Sequence, residues 1–476
     1  QVAIMYAPDK EGVHLPTEAQ IEEVILAAQQ QSYEAYAEQQ LADRLISTLP
    51  APGTIVAEKP YGANGFTELT LSNGLKVYAK KTDFSADAIQ FSMRADGGTS
   101  LYGDEDIPNF TLISSGVAEG GVGDFDATTL RRMLQGKSVR LAPSVGSKGQ
   151  SISGGSSVKD MQTLFELTYL YFTQPRRDSV AFEGLINRTR SFLANRNASP
   201  SVDYNDSIRA ILYGHHPRFK PVEVATLDKV NYDRIFQIYQ ERFSDASNFR
   251  AGIIGNYDEQ QLRQFVCQYL ATLPSTGKHE QTNMANIPQI VAPTGTYKFT
   301  KKMATPLANV SVYYNAQIPF SAKNDLIADY LKQVLRIAYT DSVREEKGGT
   351  YGVSVAFELD KEDTPDLTLK ISYNADPTRY EELNPIIYQQ LQHIADKGPE
   401  ASSMDKVRKY LLKQYDQLII TNDYWNYIIW HELEDGEDFD RDYTKLVEQV
   451  TAEDVQNLAR ELLKQNRRVE ITMLSE

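Results

Sequence analysis

The stretch FRAGIIGNYDEQQLRQFVCQYL, from Phe249 to Leu270, decides the fold. A short β-rich run is followed by a turn at Gly255-Asn256 and then by an amphipathic helix. The last residues, RRVEITMLSE (467–476), form a similar short strand. The first, QVAIMYAPDKEGVHLPTEAQIEEVI (1–25), repeat the strand–turn–helix order. A closing strand at the start, the middle and the end reads as two complete domains preceded by the final strand of a missing one.

Working outward from that repeat, PTEAQIEEVILAAQQQSYEAYAEQQLADRLI (16–46) reads as a long helix. Thr17 and Gln20 fit a capping box, and Ala, Glu and Gln favour the helix behind it. STLPAPGTIVAEKPYGANG (47–65) is rich in Pro and Gly and reads as linker. Residues 1–60 are therefore expected to hold the closing strand, a hinge helix and a linker.

The first domain, 61–275, opens with the β-runs NGLKVYAKK (73–81) and AIQFSMRADGG (88–98), with Asn73-Gly74 as a turn signal. SVRLAPSVGSKGQSISGGSS (138–157) is a further β-stretch, and helical patterns fill most of 158–243. STGKHEQTNMANIPQ (275–289) breaks the pattern as a second linker. The second domain, 276–476, repeats the plan: strands at 296–302 and 309–317, a helix over 324–346, strands at 350–359 and 367–375, helices, and the closing strand. The expected fold class is α+β, with two similar domains, each a mixed, mainly antiparallel sheet with helices packed on one face.

Composition narrows the function. The 476 residues carry a formal net charge of -15, which repels phosphate backbones and argues against nucleic acid. No apolar run reaches membrane-spanning length. The single cysteine, Cys267, excludes an internal disulfide and reads as a packed thiol on a helix.

Zinc hydrolysis needs closely spaced His ligands, a third ligand and a carboxylate base. The six histidines, His14, His215, His216, His279, His393 and His431, show neither HExxH nor HxxEH spacing. His431-Glu432-Leu433-Glu434-Asp435 has one His and acids but no second His a turn away, and reads as structural. His215-His216, before Pro217, reads as a helix-to-loop turn. Gly154–Ser157 reads as a cap of the following helix rather than as an anion site, because it lacks a phosphate-binding Lys. No catalytic or metal-ligating residue is expected in this chain.

One constellation stands out: VREEKGGTYGVSV, Val343 to Val355. A helix ends near Glu346, Gly348-Gly349 stops it, and a strand starts at Thr350. Such a turn can aim Arg344 and Tyr351 into one cleft, a forked cation beside a hydroxyl suited to a carbonyl oxyanion. An Arg favouring its own helix C-terminus and a Tyr packed in the sheet account for the same residues.

This RExxGGTYGV pattern resembles the C-terminal half of pitrilysin-type zinc peptidases, the insulysin and mitochondrial-processing-peptidase family. LTLSNGLKVYAKK, YGHHPRFKPVEVATLDKVNYDRIFQIYQERF followed by IIGNYDEQQL, and YLYFTQPRRD agree with it, the last resembling bacterial periplasmic members. The resemblance implies two halves of two domains each, closing on a peptide, with HxxEH and a Glu ligand in the N-terminal half. Here the corresponding place reads IPNFTLISSGVAEGG, without His, and the later helix INRTRSFLANR has no Glu. The implied role is a non-catalytic, substrate-binding half of a zinc metalloendopeptidase, with Arg344 and Tyr351 contacting peptide and zinc held only in the full-length enzyme. The alternative is an inactive subunit paired with a separate zinc-bearing one. The implied partners are the N-terminal zinc-bearing half or an active subunit and the peptide substrate, with a homodimer also open. The implied location is the periplasm or cell envelope of a bacterium.

Overall fold

The computed structural model describes residues 4–6, 14–31, 42, 44–196, 199–291, 294–345, 352–361 and 366–476. Residues 1–43 and 44–476 form two separate compact units. In the first, helix α1 (Glu18–Gln30) starts at the expected capping box. Thr17 Oγ1 accepts from Gln20 N, and Gln20 Oε1 accepts from Thr17 N. Most of the expected first closing strand, and residues 32–41 of the expected hinge helix, lie outside the described residues.

Among the described residues the second unit contains two sheets. The first sheet is built from β1 (Ile55–Tyr61), β2 (Phe66–Leu71), β3 (Lys76–Lys81), β4 (Ile89–Asp96), β5 (Val139–Val145), β6 (Gly149–Ser156) and β7 (Arg250–Gly255), in the order β1-β2-β3-β7-β4-β6-β5. The second holds β8 (Gly295–Lys301), β9 (Ala308–Gln317), β10 (Val353–Leu359), β11 (Asp366–Ala375) and β12 (Arg467–Ser475), in the order β8-β12-β9-β11-β10. From β3 and from β8 onward the two orders correspond strand for strand. In each, the closing strand (β7 or β12) runs parallel to the opening one and antiparallel to the next, as β7 does to β3 and β4 and β12 to β8 and β9. The remaining pairs are antiparallel.

Strand β1 is a correction to the sequence reading, which placed 47–65 in a linker. Lys59 pairs with Glu68 and Pro60 with Thr67 at the sheet edge. An edge strand tolerates Pro because one side of its backbone has no ladder to complete. Its run of exposed residues hides the alternation that marks half-buried strands. The Asn73-Gly74 turn forms as expected, with Gly74 at φ +87.

The second unit's main helices are α2 (Met161–Thr173), α3 (Ser179–Arg196), α4 (Pro200–Leu212), α5 (Tyr232–Arg242), α6 (Ala322–Tyr339), α7 (Tyr380–Lys397), α8 (Ala401–Leu418), α9 (Asn422–Glu434) and α10 (Ala452–Gln465). Period-2 alternation decides which face of each sheet they cover. In β4, Ile89, Phe91, Met93 and Ala95 join the first core, where α2 and α5 contribute Leu164, Phe165, Ile235 and Tyr239. In β9, Val310, Val312, Tyr314 and Ala316 join the second, with Leu331 and Leu335 of α6 and Leu391 of α7.

The opposite faces are covered reciprocally. Ile429 and Trp430 of α9 pack on Phe66, Tyr78 and Ile254 of the first sheet. Tyr204, Ile208 and Leu212 of α4 pack on Tyr313, Val469, Ile471 and Met473 of the second. Polar groups fix each lid: Trp430 Nε1 donates to Ser92 Oγ at 2.7 Å, and Tyr204 OH donates to the Ile471 carbonyl at 2.9 Å. Each half of the unit thus closes the other's sheet with one helix, which joins both sheets in one compact body.

Candidate functional site

The segment bearing the RExxGGTYGV pattern joins α6 to β10. Helix α6 is held at its start by Ser321, whose hydroxyl accepts from Asn324 N, and packs its apolar face, including Leu331 and Val334, against the second sheet. Its end widens into a π-helical turn over Thr340–Glu345. There Thr340 Oγ1 donates to the Arg336 carbonyl at 2.8 Å and Ser342 Oγ to the Ala338 carbonyl at 2.7 Å. Hydroxyls bonding back along a helix loosen its ladder, and π-turns are frequent at functional sites. The backbone of Arg344 lies in this turn, whereas its side chain and all of Tyr351 lie outside the described residues. Strand β10 follows at Val353 as the edge of the second sheet.

At the position where an active domain would enter a zinc helix, two short helices, Ile107–Phe110 and Ile113–Ala118, follow a tight loop. Gly98, at φ +56, lets that loop lie against the β5–β6 turn, where a Cβ would come within 2.4 Å of the Gly146 carbonyl oxygen. Asp106 is buried and accepts from Arg234 Nε at 2.9 Å and Nη2 at 2.6 Å. Asn109 accepts from Asn231 N at 2.8 Å and donates to Asp106 at 3.4 Å. Arg218 donates to the carbonyls of Thr99 and Tyr102, and Arg242 to the Tyr102 hydroxyl. Each guanidinium is paired with a carboxylate, Arg234 with Asp106, Arg218 with Asp104 and Arg242 with Glu280, which does not suit a zinc ion, whose ligands are thiolate, imidazole and free carboxylate. Among the described residues no group of three or more His, Cys, Asp or Glu is placed to hold a metal.

The second linker is tied down beside this loop. Glu280 takes Arg242 Nη1 at 2.6 Å, and Asn286 donates to the Ser100 carbonyl at 2.7 Å. Burial pushes the Glu280 carboxyl up, but the hydrogen bonds from Arg242 and Lys278 outweigh it and hold the group below its ordinary range. Asp245 is depressed further. It is also partly desolvated, but it accepts from Ser247, Thr276 and the Lys278 amide.

The remaining candidates have structural partners. His431 Nδ1 lies 2.6 Å from Asp435 Oδ2, with its ring against Tyr427 and Phe439. His215 sits in a left-handed turn at φ +57, and His216 Nδ1 accepts from Arg218 N. Gly154 and Gly155 belong to β6 rather than to a helix cap. A Cβ on Gly154 would fall 1.9 Å from the Arg140 carbonyl oxygen, so the glycines permit close strand approach. Cys267 is free and half-buried. The sequence reading missed the groove between α6 and α8, lined by Arg336, Thr340, Asp341, Lys406, Val407 and Tyr410, because its walls come from two distant segments.

Two sheets of one repeated strand order, closed reciprocally by lid helices, define a duplicated α+β fold. Residues 229–411 match the family model of the peptidase M16 inactive domain. The chain is homologous to PqqL-like zinc proteases. It is 22% identical over 407 residues to the zinc protease PQQL-like of Arabidopsis thaliana, covering 82% of this chain and 39% of that protein. It is 23% identical over 439 residues to the probable zinc protease PqqL of Haemophilus influenzae, covering 87% of this chain and 44% of that protein. The chain thus spans less than half the length of these relatives.

Among solved structures, the periplasmic protease PqqL of Escherichia coli matches at a TM-score of 0.78 and 18% identity, over 97% of this chain and 51% of that one. The ferredoxin protease FusC, solved as a variant in complex with Arabidopsis ferredoxin, matches at 0.77 and 16% identity, over 98% and 51%. The first half of Escherichia coli PqqL alone matches at 0.69 and 12% identity, over 88% of this chain and 94% of that one. These likenesses share the fold, and the last gives a single half of a protease the architecture found here. No described helix is long and apolar enough to cross a membrane.

Proposed function

We propose that this chain binds and positions peptide as the non-catalytic half of a zinc metalloendopeptidase, paired with a zinc-bearing half of the same fold. The observation that carries this reading is the replaced zinc helix: Arg234 is committed to Asp106, and Asn109 lies beside it. The match to the peptidase M16 inactive domain and the shares of the relatives covered support it.

In this reading 61–275 and 276–476 are two peptidase-like modules, and the segment after α6 faces the peptide. Arg344 offers a forked cation to a backbone carbonyl or carboxylate. Tyr351 offers a hydroxyl to the scissile carbonyl as negative charge develops on its oxygen. Zinc belongs to the partner half, and closure of the two halves excludes water from the peptide. A bacterial periplasmic location is part of the reading, supported by the periplasmic structural neighbour.

The test is zinc content and peptidase activity of the chain alone and of the longest reading frame that contains it. A metal-free, inert chain and a zinc-binding, active long form are the expected results. Cleavage by the chain alone overturns the reading.

A further inference from the structure

The groove between α6 and α8 has a volume of about 370 Å³ and borders the π-turn that leads to Arg344. Its charge is unusual for this protein. The chain as a whole carries 64 acidic against 49 basic residues, whereas this groove presents Arg336 and Lys406 against the single carboxylate of Asp341. Among the described residues neither Arg336 nor Lys406 has a carboxylate within salt-bridge distance. Among the described residues, the Arg336 guanidinium meets the Gln333 amide oxygen at 3.4 Å. The neighbouring cations are already committed, Lys409 to Asp405 at 2.7 Å and Lys332 to Asp329.

The floor is apolar. Val407 is buried beneath the groove, and the Tyr410 ring is 47% exposed at its side. Two unpaired cations beside an apolar floor and an open aromatic ring suit one carboxylate carried next to an apolar side chain. A polyanion is disfavoured, because Asp341 lies among the cations and the rest of the chain is acidic.

We propose that the α6–α8 groove anchors a carboxylate-bearing segment of a peptide, with Arg336 and Lys406 holding the carboxylate and Tyr410 the adjoining apolar side chain. This rests on the peptide-binding reading above and deepens it by assigning an acidic residue or a chain end to the peptide at this point. The carboxylate is that of an Asp or Glu side chain or of the peptide C-terminus.

The experiment is fluorescence anisotropy with the 476-residue chain and labelled peptides of about ten residues. One peptide carries a central Glu, and its analogue carries Gln. Each is made with a free and with an amidated C-terminus. The acidic peptide is expected to bind about tenfold more tightly than the Gln peptide at low salt, the size of one charge-assisted contact. That preference should vanish in Lys406→Glu and shrink in Lys406→Gln, while Tyr410→Ala weakens both peptides. Preference for Glu over Gln assigns a side-chain carboxylate, and preference for the free over the amidated end assigns the C-terminus. Equal binding of all four peptides, unchanged in Lys406→Glu, overturns the groove assignment and leaves the peptide-binding reading standing. No binding of any peptide overturns both.

Discussion

Trp430 donates its indole N–H to the Ser92 hydroxyl at 2.7 Å, across 338 positions of chain. The Ser92 hydroxyl in turn donates to Asn426 Oδ1 at 3.1 Å, on the same helix as Trp430. This contact seats α9 on the first sheet, beside Arg94, whose guanidinium stacks 4.3 Å from the Trp430 ring centroid.

Trp430→Ala is therefore expected to destabilise the whole unit by about 3–5 kcal/mol, as for a large buried aromatic. Trp430→Phe keeps most of the packing, loses the hydrogen bond and leaves Ser92 with Asn426, and should cost about 1–2 kcal/mol. Urea titration followed by circular dichroism measures both. Because each sheet is capped by the other half's helix, a single cooperative transition is expected. Two separated transitions in the unsubstituted protein would show that the lids do not couple the sheets.

Acid should release the second linker. Glu280 and Asp245 are both held below their ordinary values in the folded state. Their stabilisation is fully present above the unfolded carboxylate range and is lost as pH falls through the depressed folded values. Hydrogen exchange of residues 275–286 should accelerate below about pH 4 before the sheets open. Arg242→Gln should remove the protection contributed by Glu280 already at neutral pH.

Asp325 titrates in the opposite sense. Burial, then the neighbouring Asp329, raise its carboxyl to about 6, against the attraction of His431 and Lys332. A carboxyl raised in the folded state binds its proton more tightly there than in the unfolded chain. Its contribution is therefore most favourable below the unfolded value and declines as pH rises through about 6. Asp325→Asn should stabilise the protein at pH 8 by roughly 1–3 kcal/mol and change little at pH 4. Thermal unfolding of both proteins across this range checks it, and equal shifts at both pH values would rule out the assignment.

In a zinc-bearing long form, Tyr351→Phe is expected to lower kcat by roughly 10–1000-fold with KM little changed, as for loss of an oxyanion donor. Arg344→Ala should raise KM as well, because the guanidinium also holds the peptide. Stopped assays with a quenched fluorescent peptide separate the two effects, and a Tyr351→Phe enzyme of undiminished kcat would remove the hydroxyl from the chemistry.

Much of this was legible in local order. Alternating apolar residues mark β4, β9 and β12, a continuous buried run marks β7, and the Thr17–Gln20 box marks the start of α1. The loss of the HxxEH pattern was equally plain. Strand β1 escaped notice because an edge strand exposed on most positions carries no alternation. The Gly154-Gly155 pair looked like a cap because its cause, the nearby Arg140 and Ile89 carbonyls, lies on neighbouring strands.

The sequence by itself determined the closing strands β7 and β12, the absence of a zinc motif and the spacing of Arg344 and Tyr351, because each depends on residues close in the chain. Only the tertiary structure decided that α4 and α9 cross over to close each other's sheets, that Arg234 pairs with Asp106, and that Arg336 and Lys406 share one groove. An apolar helix face or a free cation specifies what kind of surface it needs but not which one. That choice is made when distant segments compete to bury the same area and satisfy the same polar groups.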